Sequence, residues 1–226
     1  MGSGTNWPLY VDKEDFTPQF GRFCIQPLER GVGSVLADSL RRALLESLPG
    51  AAVSAMRFRL FRDHGADSVR ESALLTQLTK WLQEVRVTSA AQFPLAASVR
   101  KRGPFWISGS ELKFIAPARV ISTDTTPVEL RSGETLELDL LFNWGKGEVP
   151  AEKVRDESLP RGWVPLSRSH SPVRKVRLTT ASIEIGQHRG HEQVIAEIMT
   201  DGSISPEDAL RRASSHAILP PRPLAG

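Results

Sequence analysis

Cysteine is almost absent from this chain: Cys24 is the single one in 226 residues. A lone thiol excludes an internal disulfide, and its place in the apolar run Phe23-Cys24-Ile25 would bury it, so the chain reads as made for a reducing compartment. No apolar run reaches the roughly 18–20 residues that cross a bilayer, and the start, Met1-Gly-Ser-Gly-Thr-Asn, lacks the charged-then-apolar order of a secretion signal. The expectation is a soluble protein of the cell interior, with no membrane partner. Net charge is small as well, +3 with a pI near 9.3, which excludes a polycation built to coat nucleic acid and makes a partner with acidic patches as natural as DNA.

Catalytic signatures are missing too. No nucleophile elbow or cysteine-histidine pattern is present. His188-x-x-His191, with Glu192 beside it and His170 upstream, has no second motif of ligand spacing and reads as a hairpin loop, so no metal is expected. Gly31-Val-Gly-Ser34 lies between a strand and a helix, where an anion could meet helix N–H groups, but Leu36 fills the place of a third glycine and no Lys-Ser/Thr pair follows. A tight strand-to-helix turn accounts for both glycines; Gly145-Lys-Gly147 reads as a loop.

What is present is a legible helix over residues 34–48. Leu36, Leu40, Ala43, Leu44, Ser47 and Leu48 recur at three-and-four spacing and form one apolar stripe. Asp38 is expected in its first turn, within reach of Arg41 or Arg42, and Pro49-Gly50 ends it. Arg41 and Arg42 point about 100° apart, so at most one can sit at the edge of the stripe; spacing alone makes them two solvated arginines.

The hydrophobic share of 40% suffices for a core in one large or two modest domains. Residues 7–19 read as an extension leading into a strand at 21–26, which Pro27 ends or places on an edge. Residues 52–60 alternate as a strand with Ala52, Ser54, Met56, Phe58 and Leu60 inward, and 71–85 carry a helix on Leu74, Leu75, Leu78, Trp81, Leu82 and Val85. A β-rich stretch follows, in which Leu136, Leu138, Leu140 and Phe142 face a core; 143–150 read as a loop. Residues 173–180, 183–186 and 192–200 are short strand candidates, Asp201-Gly202 a tight turn, and Ser205-Pro-Glu-Asp208 opens a second helix with a capping box and an apolar face of Ala209, Leu210, Ala213 and Ala217. Trp81 and Trp106 are expected in the core, Trp7 and Trp144 toward partners. Alternation would put Arg174 on the opposite strand face from Lys175 and Arg177.

Taken with the preceding Phe23-Cys-Ile-Gln-Pro-Leu-Glu-Arg-Gly-Val-Gly33, the first helix resembles the opening signature of the alpha subunit of bacterial-type (bacterial or plastid) RNA polymerase, roughly E-P-L-E-R-G-x-G-x-T-L-G-N-A-L-R-R-x-L-L-x-S-x-P-G. The shared positions are Pro27, Leu28, Glu29, Arg30, Gly31, Gly33, Leu36, Leu40, Arg41, Arg42, Leu44, Leu45, Ser47, Pro49 and Gly50. At the other end, Ser171-Pro-Val173 with Val176, Gly186-Gln187 and Glu197-Ile-Met-Thr-Asp-Gly-Ser-Ile-Ser-Pro-Glu-Asp-Ala209 match the same family in the same order. Ala37-Asp-Ser39, Glu148, Glu184 and the 188–191 turn depart from it, which marks a divergent member; the resemblance spans about residues 20–219.

The resemblance implies an α+β fold with a discontinuous dimerisation domain, two helices on a small antiparallel sheet built from 18–60 and 165–220, and an inserted β-rich domain at 61–164. Residues 1–17 would be an extension and 221–226 a tail or linker start. It further implies a subunit without an active site of its own, pairing with a second alpha chain, identical or paralogous, and seating the beta and beta prime subunits of DNA-directed RNA polymerase. Glu29, Arg30, Arg41 and Arg42 would hold the beta subunit; Leu36, Leu40, Ala43, Leu44, Leu48, Leu210 and Ala213 would supply dimer area; Ser171, Pro172, Val173, Gly145 and Gly147 are further large-subunit contact candidates. Mg and Zn would belong to the large subunits, with no cofactor here, and DNA would be met only through the assembled complex. The expected place is the cytoplasm near the nucleoid, or a plastid. The family's small C-terminal DNA-binding module is not represented, so no independent promoter binding is expected. Two other readings stay open: a nucleotide-binding α/β enzyme using Gly31–Ser34, and a stand-alone basic nucleic-acid-binding module.

Overall fold

A computed structural model describes residues 10–63, 65, 67–122, 126–155, 159, 161–185 and 188–216. Its main elements, in chain order, are β1 (Tyr10–Phe16), β2 (Phe20–Glu29), α1 (Val32–Arg42), β3 (Pro49–Arg62), α2 (Ser68–Glu84), β4 (Leu95–Arg102), β5 (Glu134–Lys146), β6 (Val173–Ile185), β7 (His188–Thr200) and α3 (Pro206–Ser214). They divide into two compact units: one from both chain ends, Met1–Leu48 with Ser171–Gly226, and one contiguous, Pro49–His170.

The first unit is an antiparallel sheet in the order β1-β2-β7-β6, with α1 and α3 packed on it. Phe23 and Ile25 from β2, Val194, Ala196 and Ile198 from β7, and Val173 and Val176 from β6 meet Leu36, Leu40, Leu44 and Leu48 of the first helix and Ala209, Leu210 and Ala213 of the last. Each fully covered leucine contributes roughly 1.5–3 kcal/mol of burial. Neither chain end holds both sides of this core, so the two must meet before either is stable. Cys24, between Phe23 and Ile25, alternates to the opposite face and donates to the Gln193 side chain.

Here the structure corrects several local expectations. Pro27 neither ends β2 nor marks an edge. Ile25 pairs with Val194 and Leu28 with Glu192, so Gln26 and Pro27 together oppose Gln193, while the ladder to β1 stops at Gln26. A bulge accommodates the residue that has no N–H to give. The first helix begins at Val32, which leaves Asp38 beyond its first turn, and widens into a π turn over Ala43–Ser47. The three short strands expected near the C-terminal end are one long hairpin of β6 and β7, and His191, expected in a loop, lies in β7 between Ile183 and Glu29. A register shift at Arg174 breaks the alternation, so Arg174, Lys175 and Arg177 are all exposed. Asp201-Gly202 does turn: Gly202 takes φ 89° and the Asp201 carboxylate accepts from the Ser203 N–H and hydroxyl.

The second unit holds a sheet ordered Val164–Pro165, β3, β5, β4, Lys113–Phe114. Along β5, Leu136, Leu138, Leu140 and Phe142 are buried as the alternation requires, against Leu74, Leu78, Trp81 and Leu82 of α2. β3 runs antiparallel to β5 from Arg62↔Glu134 to Pro49↔Lys146, so the boundary between units falls at Pro49 and not after Leu60. The same ladder turns the expected loop at 143–150 into strand as far as Lys146, and Glu148–Val149 pairs with Arg168–Ser169. Trp106, expected in the core, is 59% exposed; Trp144 is 55% exposed, resting on Phe93. Trp7 lies outside the described residues.

Candidate functional site

The turn entering α1 is fixed from the other end of the chain. Gly31 takes φ 84°, open to glycine at no steric cost, and the N–H groups of Gly31 and Gly33 donate to the two carboxylate oxygens of Glu192, each at 2.9 Å. A Cβ on Gly33 would stand 2.6 Å from the Thr180 methyl and 2.7 Å from Glu192 Oε2. The slot in which a phosphate would meet these N–H groups therefore already holds a carboxylate, one favoured there by the helix dipole. Sequence reasoning placed Glu192 beside a histidine pair and missed this role; an acidic residue remote in sequence gives no local sign of capping a helix.

At the other end of α1 both arginines are exposed. They differ in their partners: Arg41 donates to the Val176 carbonyl at 3.3 Å, whereas Arg42, among the described residues, makes no hydrogen bond or ion pair. Glu29 and Arg30, also exposed, stand at the start of the same turn that Glu192 holds.

Between α1, α3 and the sheet lies an apolar hollow of about 350 Å³, floored by Val11, Phe23, Ile25, Leu36, Leu40 and Leu210. At its margin Lys13 pairs with Glu207 at 2.6 Å and Arg211 with Asp208. Arg211 and the Ser205 hydroxyl hold the Asp208 carboxyl below the usual aspartate range. Ser205 caps α3 through the Asp208 N–H, and the Asp208 carboxylate accepts from the Ser205 hydroxyl, a variant of the expected box.

The residues assigned to a dimer face thus separate. Leu36, Leu40 and Leu210 line the hollow, though at 5%, 2% and 7% exposure they show only an edge to it, and Ala43, Leu44, Leu48 and Ala213, equally buried, lie away from its lining. The stripe is wider than a single contact needs, and the sheet takes its inner half. Val11, Phe23 and Ile25 complete the hollow and were not foreseen; Val11 sits in a polar stretch without period.

The other contact candidates serve the protomer itself. Ser171, Pro172 and Val173 are buried, with the Val173 N–H donating to Ser171 Oγ at 3.3 Å. Gly145 gives room to the His170 ring, which would lie 2.8 Å from any Cβ there, and the Gly147 carbonyl accepts from the His170 N–H. His170 is itself buried between the Arg168 guanidinium and the Gly50 carbonyl. Burial, with Glu14 and Asp12 nearby, pushes the Cys24 thiol up, away from thiolate chemistry. Among the described residues no three of His, Cys, Asp and Glu converge as a metal-ion cluster, and no helix is long and apolar enough to cross a membrane.

Known proteins resemble this chain along most of its length. The family model of the RNA polymerase Rpb3/Rpb11 dimerisation domain matches residues 26–218. The chain is 34% identical over 208 residues, 91% of its length, to the DNA-directed RNA polymerase subunit alpha of Pelodictyon phaeoclathratiforme. It is 32% identical over 90% of its length to that of Chlorobaculum tepidum and 30% over 91% to that of Geobacter metallireducens. It spans 61–63% of the length of these three relatives.

Proposed function

The chain belongs to the RNA polymerase Rpb3/Rpb11 dimerisation-domain family, and from that premise we propose that it acts as the alpha-type assembly subunit of a bacterial-type DNA-directed RNA polymerase. Two alpha chains pair over the hollow between α1 and α3, and the pair seats the beta and beta prime subunits. Active-site chemistry and its metal ions belong to those large subunits, and DNA is met through the assembly, in the interior of the cell. One observation carries the reading: a single helix turns Leu36 and Leu40 into an open apolar hollow while leaving the Arg42 guanidinium free on its outer side. Apolar floors rimmed by charge suit a self-complementary contact. A free arginine fork suits carboxylates or carbonyls on a second partner.

Arg42 is the principal beta-subunit contact, with Glu29 and Arg30 beside it, because Arg41 is tethered to the Val176 carbonyl. Near Ser171, contact with a large subunit passes through the exposed Arg174 and Lys175 rather than the buried Ser171, Pro172 and Val173. Light scattering on the purified chain is expected to give twice the 24.9 kDa of one copy. Arg42→Ala should keep that mass while capture of the same organism's beta subunit in a pull-down drops about tenfold. Unchanged capture removes the arginine assignment; a monomer removes the pairing. A nucleotide-binding enzyme is disfavoured because Glu192 occupies the Gly31–Gly33 turn, where that reading would seat a phosphate.

A further inference from the structure

Glu192 does more than complete a turn. Its carboxylate comes from β7, in the other chain segment of the same unit, and binds both N–H groups at the start of α1. The ladder repeats the link one residue earlier, with Leu28 opposite Glu192 and Glu29 opposite His191. Glu29 and Arg30 lie just before the clamp and Arg42 at the far end of the rod it orients. α1 is 11 residues long, about 16 Å, so a tilt of roughly 10° about its first turn moves its last residue by about 3 Å. A displacement of that size is enough to undo a directional guanidinium contact. The glycines make the arrangement exclusive: Gly31 supplies the left-handed turn, and Gly33 leaves no space for a side chain between the helix and Glu192.

We propose that Glu192 is a positioning residue of the large-subunit capture surface, its bridging carboxylate setting where Glu29, Arg30 and Arg42 are presented without touching the partner itself. This rests on the alpha-subunit reading above. Glu192 does not line the dimer hollow, and Val11, Phe23, Ile25 and Leu210 of its floor come from β1, β2 and α3, off the rod that the clamp orients.

The test uses the full chain, with the same organism's beta subunit as probe, in potassium chloride and in potassium acetate at equal ionic strength. Glu192→Ala should capture beta about tenfold less well while light scattering still reports a dimer, since it loses two charge-assisted bonds. Acetate, entering the vacated slot, should restore most of that capture and raise the melting temperature of the variant, with no such effect on the unsubstituted chain. Glu192→Gln, which keeps the volume but sets an amide N–H₂ against one of the two N–H groups, should lose capture without acetate rescue. Equal capture by Glu192→Ala and the unsubstituted chain overturns the proposal alone, as does lost capture in Glu192→Ala that acetate leaves unchanged. If Glu192→Ala does not fold, undiminished capture by Glu192→Gln overturns it. Failure of the unsubstituted chain to capture beta overturns the functional reading and this proposal with it.

Discussion

The two units solve the same packing problem with opposite outcomes. In the contiguous one, α2 closes the sheet and brings Arg70 inside, where its guanidinium meets both Glu134 carboxylate oxygens at 2.9 Å and the Glu129 carbonyl at 2.7 Å. Arg70 is 5% and Glu134 1% exposed. In the unit made from both chain ends, the ion pairs stay at the surface, where each is worth little, and the hollow beside them keeps an apolar floor. One unit has committed its polar groups to its own interior. The other keeps its charged groups outside with an apolar hollow among them, the surface proposed above for pairing.

The largest effect that would test this contrast is Arg70→Ala, which leaves the buried Glu134 carboxylate only the Arg131 N–H at 2.8 Å and Arg62 at 3.8 Å and should destabilise the contiguous unit by about 3 kcal/mol. Tryptophan fluorescence in a denaturant titration reads that unit, which holds Trp81, Trp106, Trp144 and Trp163 of the five tryptophans, and the mass by light scattering should stay that of a dimer if the units behave as described. The same pair carries a pH signature. The Arg70 hydrogen bond, against burial, holds the Glu134 carboxyl below its ordinary value, so its contribution is fully present above about pH 4.3 and is lost as pH falls through the lowered value. The denaturation midpoint of the unsubstituted chain should therefore fall more steeply on acidification below pH 4 than that of Arg70→Ala.

Val11→Asp comes next. Val11 is 49% exposed at the edge of the hollow, so a carboxylate there costs the protomer little but would be desolvated by a partner, with a dimer-to-monomer shift of about tenfold or more. Retention of the dimer at low concentration would argue that the hollow is covered some other way. The smallest effects sharpen the comparison by symmetry. Asp67→Ala removes the cap of α2 and Ser205→Ala that of α3, each costing about 1 kcal/mol. Only the second should also weaken dimerisation, because only α3 lines the hollow.

Much of this was legible in advance because it is local. The stripe on α1, the alternation from Leu136 to Phe142 and the cap at Ser205 each depend on residues within a turn or two, and they stand where the periodicities put them. Asp67 caps α2 without announcing it in the sequence, because Asp63, Gly65 and Ser68 around it carry the stronger loop signal. Trp106 failed because apolar neighbours along the chain say nothing about which neighbours lie across the sheet.

The sequence by itself determined the three helices, the alternation of the central strand, the two-ended origin of the helix-bearing unit and the family, because side-chain period and ordered motifs are properties of the chain alone. Only the tertiary structure decided which leucines of the α1 stripe line the hollow, that Pro27 is absorbed in a bulge, and that Glu192 fills the slot at Gly31 and Gly33. The reason is that burial and hydrogen bonding are contests between groups far apart in sequence, settled by what the fold brings within about 3 Å and not by what any one segment prefers.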